Sequence, residues 1–288
     1  MKASTHLKRR LAMAALAVCA ALLSMTAATF AWYIYNTSAR TTRVEMAAGS
    51  SVSLQIANAE EGPYGSSTLM ESFTGRLNPV STDEITGGFQ RVTAFETVKN
   101  PDTNAYRLVA SLFGSGTEAV DYYKTSLYLR TNANNLDIYL SDIGFEDGDE
   151  ENPISTAMRL GVAVEGREYI FAINESPNPN ADDNAAKEPQ GGYVLKHDKT
   201  DGTTVPFVPY TSANFCRYDS QTGAVSLPDG AVALCTLSGN GHGGYGQSVK
   251  VDIYLWLEGC DEDCTLNLAG QTMKNLALNF AGFAGEGA

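Results

Sequence analysis

The chain has 288 residues, 43% of them apolar, with 20 Lys+Arg against 33 Asp+Glu for a formal charge of −13. That balance argues against a surface for nucleic acid, because phosphate recognition needs a basic footprint. With only 18% charged residues, the chain is no disordered polyelectrolyte and has enough apolar content to build a core.

Met1–Arg10 carries Lys2, Lys8, Arg9 and Arg10 and no acid, and residues 11–35 follow without a charge. A basic start and an apolar run long enough to span a bilayer mark a signal peptide or a membrane anchor over residues 1–35. Thr26/Ala28 and Thr29/Ala31 are candidate cleavage sites, with small residues at the positions a signal peptidase reads. Cys19, preceded by Val18, makes a poor lipidation site, and packing within the helix accounts for it better. Taking four basic residues from 20 leaves 16 against 33 acids, so the chain beyond residue 35 carries −17 and is repelled by anionic surfaces.

Residues 36–50 are small and polar and read as a linker. Val52-Ser53-Leu54-Gln55-Ile56 then alternates like a strand. Ala59–Gly88 reads mainly as loop, and Ala105–Phe113 as a strand or short helix. Asp121–Arg130 and Leu136–Ile143 read as strands separated by the turn residues Asn132–Asn135, with an acidic turn at Glu146–Asn152. Ala157–Val164 and Glu168–Asn174 form a predicted hairpin through Glu165-Gly166-Arg167. Residues 175–190, rich in Pro, Asn and Asp, read as a mobile insertion. Further strands are expected at Phe215–Tyr218, Ala224–Leu227, Ala231–Leu237, Val249–Leu257 and Asn275–Phe283, with a flexible loop at Gly239–Gly246.

Short strands with turn signals and no 3.6-residue period predict an all-β fold: one jelly-roll-like antiparallel β-sandwich with long loops over residues 51–288, preceded by the N-terminal signal or anchor helix.

Three stretches carry a family resemblance. Met25–Tyr35 (MTAATFAWYIY) resembles the export signals processed by SipW-type signal peptidases, and Val249–Cys264 and Leu77–Thr82 resemble segments of surface proteins with such signals. The chain is thus similar to the TasA/camelysin family. The resemblance implies a jelly-roll domain and either matrix-fibre assembly, as in TasA-like members, or a surface metalloprotease, as in camelysin-like members. No catalytic motif of the family is matched.

Chemistry is sparse. The three His are His6, His197 and His242, with no His-Glu-x-x-His among them, so the usual protease zinc site is absent. Two acidic clusters are weak calcium candidates, Asp147, Asp149 and Glu151 (with Glu150), and Glu258, Asp261 and Asp263 (with Glu262), although neither has an EF-hand register and a solvated turn is the favoured reading. No other cofactor is expected.

Cys216, Cys235, Cys260 and Cys264 are disulfide candidates in an exported chain. Four Cys allow three pairings, and Cys260–Cys264 with Cys216–Cys235 is slightly preferred. Cys260 and Cys264 can meet only if the chain turns between them, since an extended span of four residues covers roughly 13 Å. Tyr122, Tyr128, Tyr139, Tyr254 and Trp256 lie on strands and read as core, with a sugar- or peptide-binding face as the alternative.

The expectation is therefore an exported, non-enzymatic protein of the cell surface or extracellular matrix. It would form fibres by strand addition, with Val52, Leu54 and Ile56 as the donor side chains. Its partners would be further copies or other matrix proteins, a signal peptidase during export, and the membrane only through the N-terminal segment. The alternatives are a camelysin-like metalloprotease and an anchored adhesin or ligand-binding module.

Overall fold

The computed structural model describes residues 43–48, 54–70, 77–82, 84–99, 106–175, 188–189, 205, 207–218, 225–261, 263–265, 268 and 273–284. The signal or anchor segment, Val52, His6, His197 and most of the predicted insertion at 175–190 lie outside these residues. Among the described residues there is no α-helix, and no helix long and apolar enough to cross a membrane. The chain is all-β.

The strands are β1 (Arg43–Ala48), β2 (Leu54–Ala57), β3 (Ser67–Leu69), β4 (Pro79–Ser81), β5 (Gln90–Lys99), β6 (Tyr106–Ser115), β7 (Tyr122–Thr131), β8 (Leu136–Asp147) and β9 (Met158–Val164). They continue as β10 (Arg167–Ala172), β11 (Glu188–Pro189), β12 (Phe207–Val208), β13 (Arg217–Tyr218), β14 (Val225–Ser226), β15 (Ala233–Leu237), β16 (Val249–Glu258) and β17 (Met273–Ala284). One sheet has the order β15-β8-β17-β1-β3. The larger runs β11-β6-β5-β4-β16-β9-β10-β12, with β7 also on β16 and β2 on β7. β13 and β14 form a separate hairpin.

Alternation explains how the sheets meet. Leu127 and Leu129 of β7, Leu160 and Val162 of β9, and Val251, Ile253 and Leu255 of β16 share one buried cluster with Ile138 of β8 and Leu276, Leu278 and Phe280 of β17. Side chains two apart on a strand share a face, so each of these strands turns one apolar row inward. Leu54 and Ile56 of β2 are buried in the same cluster, with Ile56 opposite Leu129. These two candidate donors are therefore seated in the chain's own core.

The β9–β10 hairpin turns at Glu165 and Gly166, both with positive φ (50° and 77°). A two-residue type I′ turn needs that geometry, and glycine adopts it without the Cβ penalty.

The structure departs from the sequence expectation in several places, among them β11 within the segment read as a mobile insertion. The segment read as a linker contains β1, paired in parallel with β17 from Arg43↔Ala277 to Ala48↔Gly282. The partner that makes it a strand lies more than 200 residues away in sequence, so local composition hides it. The segment read as loop at 59–88 holds β3 and β4. β5 escaped notice because register shifts at Gln90/Val92 and Val92/Ala94 interrupt the period of two. The pairing is also not wholly antiparallel: β1/β17, β4/β16, β6/β11 and β10/β12 are parallel.

Candidate functional site

The outward row of β16 leads to a place where several charged groups are sealed from water. Asp252, Tyr254, Trp256 and Glu258 alternate with the inward apolar residues. From Tyr254 onward a second layer covers that face, formed with Val80, Ile85, Phe89, Ile170 and Val205. Phe89 stacks on Tyr122 at 4.3 Å and meets the Trp256 ring edge-on at 5.2 Å. Tyr254 and Trp256 are thus core residues of this outer layer, and neither forms an exposed binding face.

Glu258 ends the row and is fully buried. β7 pairs with β16 as far as Trp256↔Tyr122, and β4 takes over at Leu257↔Pro79 and Glu258↔Val80. This handover brings Ser81 to Glu258. The Ser81 hydroxyl and the Cys260 N–H (3.0 Å) donate to Oε1, and Trp256 Nε1 donates to Oε2 at 2.9 Å. Burial pushes the Glu258 carboxyl up to about 7, against the lowering effect of these three donors and of Arg159.

Arg159 lies on β9 opposite Trp256. Its Nη1 donates to the Met158 and Thr156 carbonyls at 3.0 and 3.2 Å, and its Nη2 to Asp261 Oδ2. Arg159 and Asp261 are 2% and 1% exposed, a buried ion pair. Phe207 of β12 faces the guanidinium, 5.5 Å from ring centroid to Cζ. Asp261 Oδ1 accepts from the Asp263 N–H at 2.7 Å, which tightens the turn after β16. Burial raises the Asp261 carboxyl, with Arg159 opposing.

A second polar knot centres on Asp121. The buried Asp121 carboxylate accepts from Arg91 Nε (2.7 Å), Asn78 Nδ2 (2.8 Å) and the Thr117 N–H (2.7 Å). Burial works to raise this carboxyl, and the donors outweigh it, leaving it below the usual carboxylate range.

The structure distributes the other predicted residues as follows. Asp147 accepts from the Ser155 N–H and Oγ at 3.0 and 2.6 Å, and Asp149 from the Glu151 N–H and Asn152 Nδ2 at 2.9 and 3.3 Å. The Glu151 side chain is exposed. Among the described residues, no three His, Cys, Asp or Glu side chains gather into a metal-binding group, and Glu262 lies outside them. His242 sits in an exposed loop with its ring Nδ1 3.0 Å from the Asn240 carbonyl oxygen.

The chain does turn after Gly259, so Cys260 and Cys264 both lie buried around the turn that seats Asp261. Cys216 and Cys235 are not brought together. Cys235 joins the common core, whereas Cys216 lies with Tyr139 and Ala281 in a separate cluster, and both are thiols that burial pushes up to about 12.

Sequence reading missed Arg159, Ser81 and Asp121. The available signal was Arg159 itself, a lone charge inside the apolar strand AMRLGVAV. Such a residue rarely faces a core without a partner. The sealed node can fasten strands and hold a proton, and its geometry offers no exposed acid–base pair.

No protein-family model, curated protein or solved structure matches this chain.

Proposed function

We propose that the protein is an exported, non-enzymatic structural component of the cell surface or extracellular matrix, built on a jelly-roll-like β-sandwich and assembling by strand exchange. The observation that carries this reading is the strand order. β1-β17-β8-β15 in one sheet and β7-β16-β9-β10 in the other follow the alternation of a jelly roll, in which successive strands cross between the sheets. β1 departs from that pattern by its parallel pairing.

Two further observations support the reading. The Met25–Tyr35 segment resembles a fibre-protein export signal. The carboxylates singled out as candidate ligands on the two acidic turns, Asp147, Asp149, Glu258 and Asp261, hydrogen-bond within the chain.

In this reading a signal peptidase removes the segment up to about Ala28–Ala31, which leaves β1 (Arg43–Ala48) near the new N-terminus. The freed β1 then serves either its own sheet or the equivalent slot of a second copy, between β17 and β3. Mass spectrometry of the N-terminus of protein recovered from the producing cells and their medium tests the export step. A chain lacking the apolar run is expected, and intact Met1–Ala288 as the sole species contradicts release and favours an anchor.

A further inference from the structure

The outward row of β7 carries Tyr122, Lys124, Ser126, Tyr128 and Arg130, alternating with inward residues of the common core. Across from it on β16 stand Tyr254 (opposite Lys124), Asp252 (opposite Ser126) and Lys250 (opposite Tyr128). The outer layer takes in Tyr122 and Tyr254. Beyond that cover Lys250 is exposed, and Ser126, Tyr128, Arg130 and Asp252 are half-buried.

At the far end of the row Arg130 is held on three sides. Its guanidinium carbon lies 3.8 Å from the Tyr64 ring centroid and 4.6 Å from that of Tyr245. Its Nε and Nη2 donate to Oε1 of Gln55, its neighbour on β2, at 3.0 and 2.8 Å. These partners are all neutral. Nη1 has no hydrogen-bond partner among the described residues and is not one of the sealed unpartnered atoms, so it reaches water. The guanidinium therefore carries a charge that no described carboxylate pairs, in a plane fixed by its neighbours.

We propose that this face binds a linear acidic polysaccharide of uronate sugars, laid along β7. Arg130 would pair a sugar carboxylate through Nη1, Lys250 and Lys124 would take further carboxylates, and Tyr128 would pack against a sugar ring. Lys124 and Arg130 lie about 20 Å apart along the strand, so only an extended ligand meets both.

Charge selects the ligand class. The face sets Lys124, Arg130 and Lys250 against Asp252, with Glu118 acting on Lys124 from the end of the row. Asp252 is engaged by Ser126 and Lys250 at 2.6 and 2.8 Å. Glu60 and Glu61, on the loop that carries Tyr64, are exposed and pair with none of these cations. In a chain of 33 acids and 20 bases, a local excess of cations reverses the general balance. At about 0.15 M salt the screening length is about 8 Å, so a bound polymer feels this face more than the distant acids. A peptide laid on a sheet face would find no strand edge for its N–H and C=O groups, whereas sugar hydroxyls are met by side chains. The site does not depend on strand exchange, and its failure would leave that reading standing.

Calorimetric titration of the full chain with polygalacturonate, in calcium-free buffer at about pH 7 and about 0.15 M salt, tests the site. Binding is expected, and none to the same polymer once its carboxyls are methyl-esterified. Arg130→Gln should weaken binding at least about tenfold. No binding overturns the proposal, as do equal affinity for the esterified polymer, a smaller loss in folded Arg130→Gln, or tighter binding of poly-glutamate. Should Arg130→Gln fail to fold, Lys250→Gln on the open surface decides. Weakening of at least about threefold supports the site, and any smaller loss overturns it.

Discussion

Trp256 and Glu258 stand two residues apart on the same face of β16, and the indole N–H donates to the carboxyl at 2.9 Å. The period of a strand creates this pair from neighbours in sequence, so β16 carries a partner for its own buried acid. Trp256→Phe keeps a ring in the outer layer and leaves one carboxyl oxygen without its donor. The expected loss is about 1–3 kcal/mol, read as a lower urea midpoint at unchanged slope. A variant as stable as the parent would show that the bond contributes nothing.

Arg159 and Asp261 form the buried ion pair that locks the turn onto β9. Arg159→Met alone leaves Asp261 buried without its cation and should destabilise by about 3–5 kcal/mol. Arg159→Met combined with Asp261→Leu should recover most of that loss, because desolvating two charges offsets much of their attraction. The pair swap also removes Arg159 Nε, a buried donor without a hydrogen-bond partner among the described residues. Denaturant titrations of the single and double variants measure the coupling, and purely additive losses would refute it.

Gly259 is fixed by close approach. A Cβ there would lie 2.5 Å from Val92 Cβ and 3.0 Å from Pro79 Cβ. Gly259→Ala should therefore push Val92 and Pro79 away from β16 and cost about 1–3 kcal/mol, visible as a lower Tm. Val92→Ala in the same chain should restore part of the loss by making room.

Cys216 and Cys235 give a prediction opposite to the expectation of a fully disulfide-bonded chain. Both are buried thiols in separate clusters, held far above the usual thiol range by burial. Unreduced protein should thus show no reactive thiol while folded and at least two after denaturation. Zero equivalents in denaturant would mean that these two cysteines are oxidised.

The legibility of the sequence varied with how local the determining interactions are. β7, β9, β10 and β16 announce themselves because each carries its own alternation and, for the hairpin, its own Glu165-Gly166 turn. β1 and β4 are short and owe their strand character to distant partners, β17 and β16. β5 hides behind its bulges. The acidic turn at residues 258–263 was visible as a charge cluster, yet its meaning was not. Whether Glu258 faces water or a sealed layer depends on Ser81 and Arg159, which lie 177 and 99 residues away in the chain. A solvated turn and a buried node look alike until the strand pairing is known.

Assembly by exchange of the N-terminal strand would carry a defined register from one copy to the next. Glu45 of β1 pairs with Asn279 of β17 within one chain, and exchange would create the same pairing between copies. A chain beginning after the signal segment and carrying Glu45→Cys and Asn279→Cys, oxidised under assembly conditions and run on a denaturing, non-reducing gel, reads the partner directly. Strand exchange should give a ladder of covalent multimers that reduction collapses to monomer, strengthened by added salt because the charge of −17 beyond residue 35 opposes close approach. A single band of internally cross-linked monomer under every condition would contradict it.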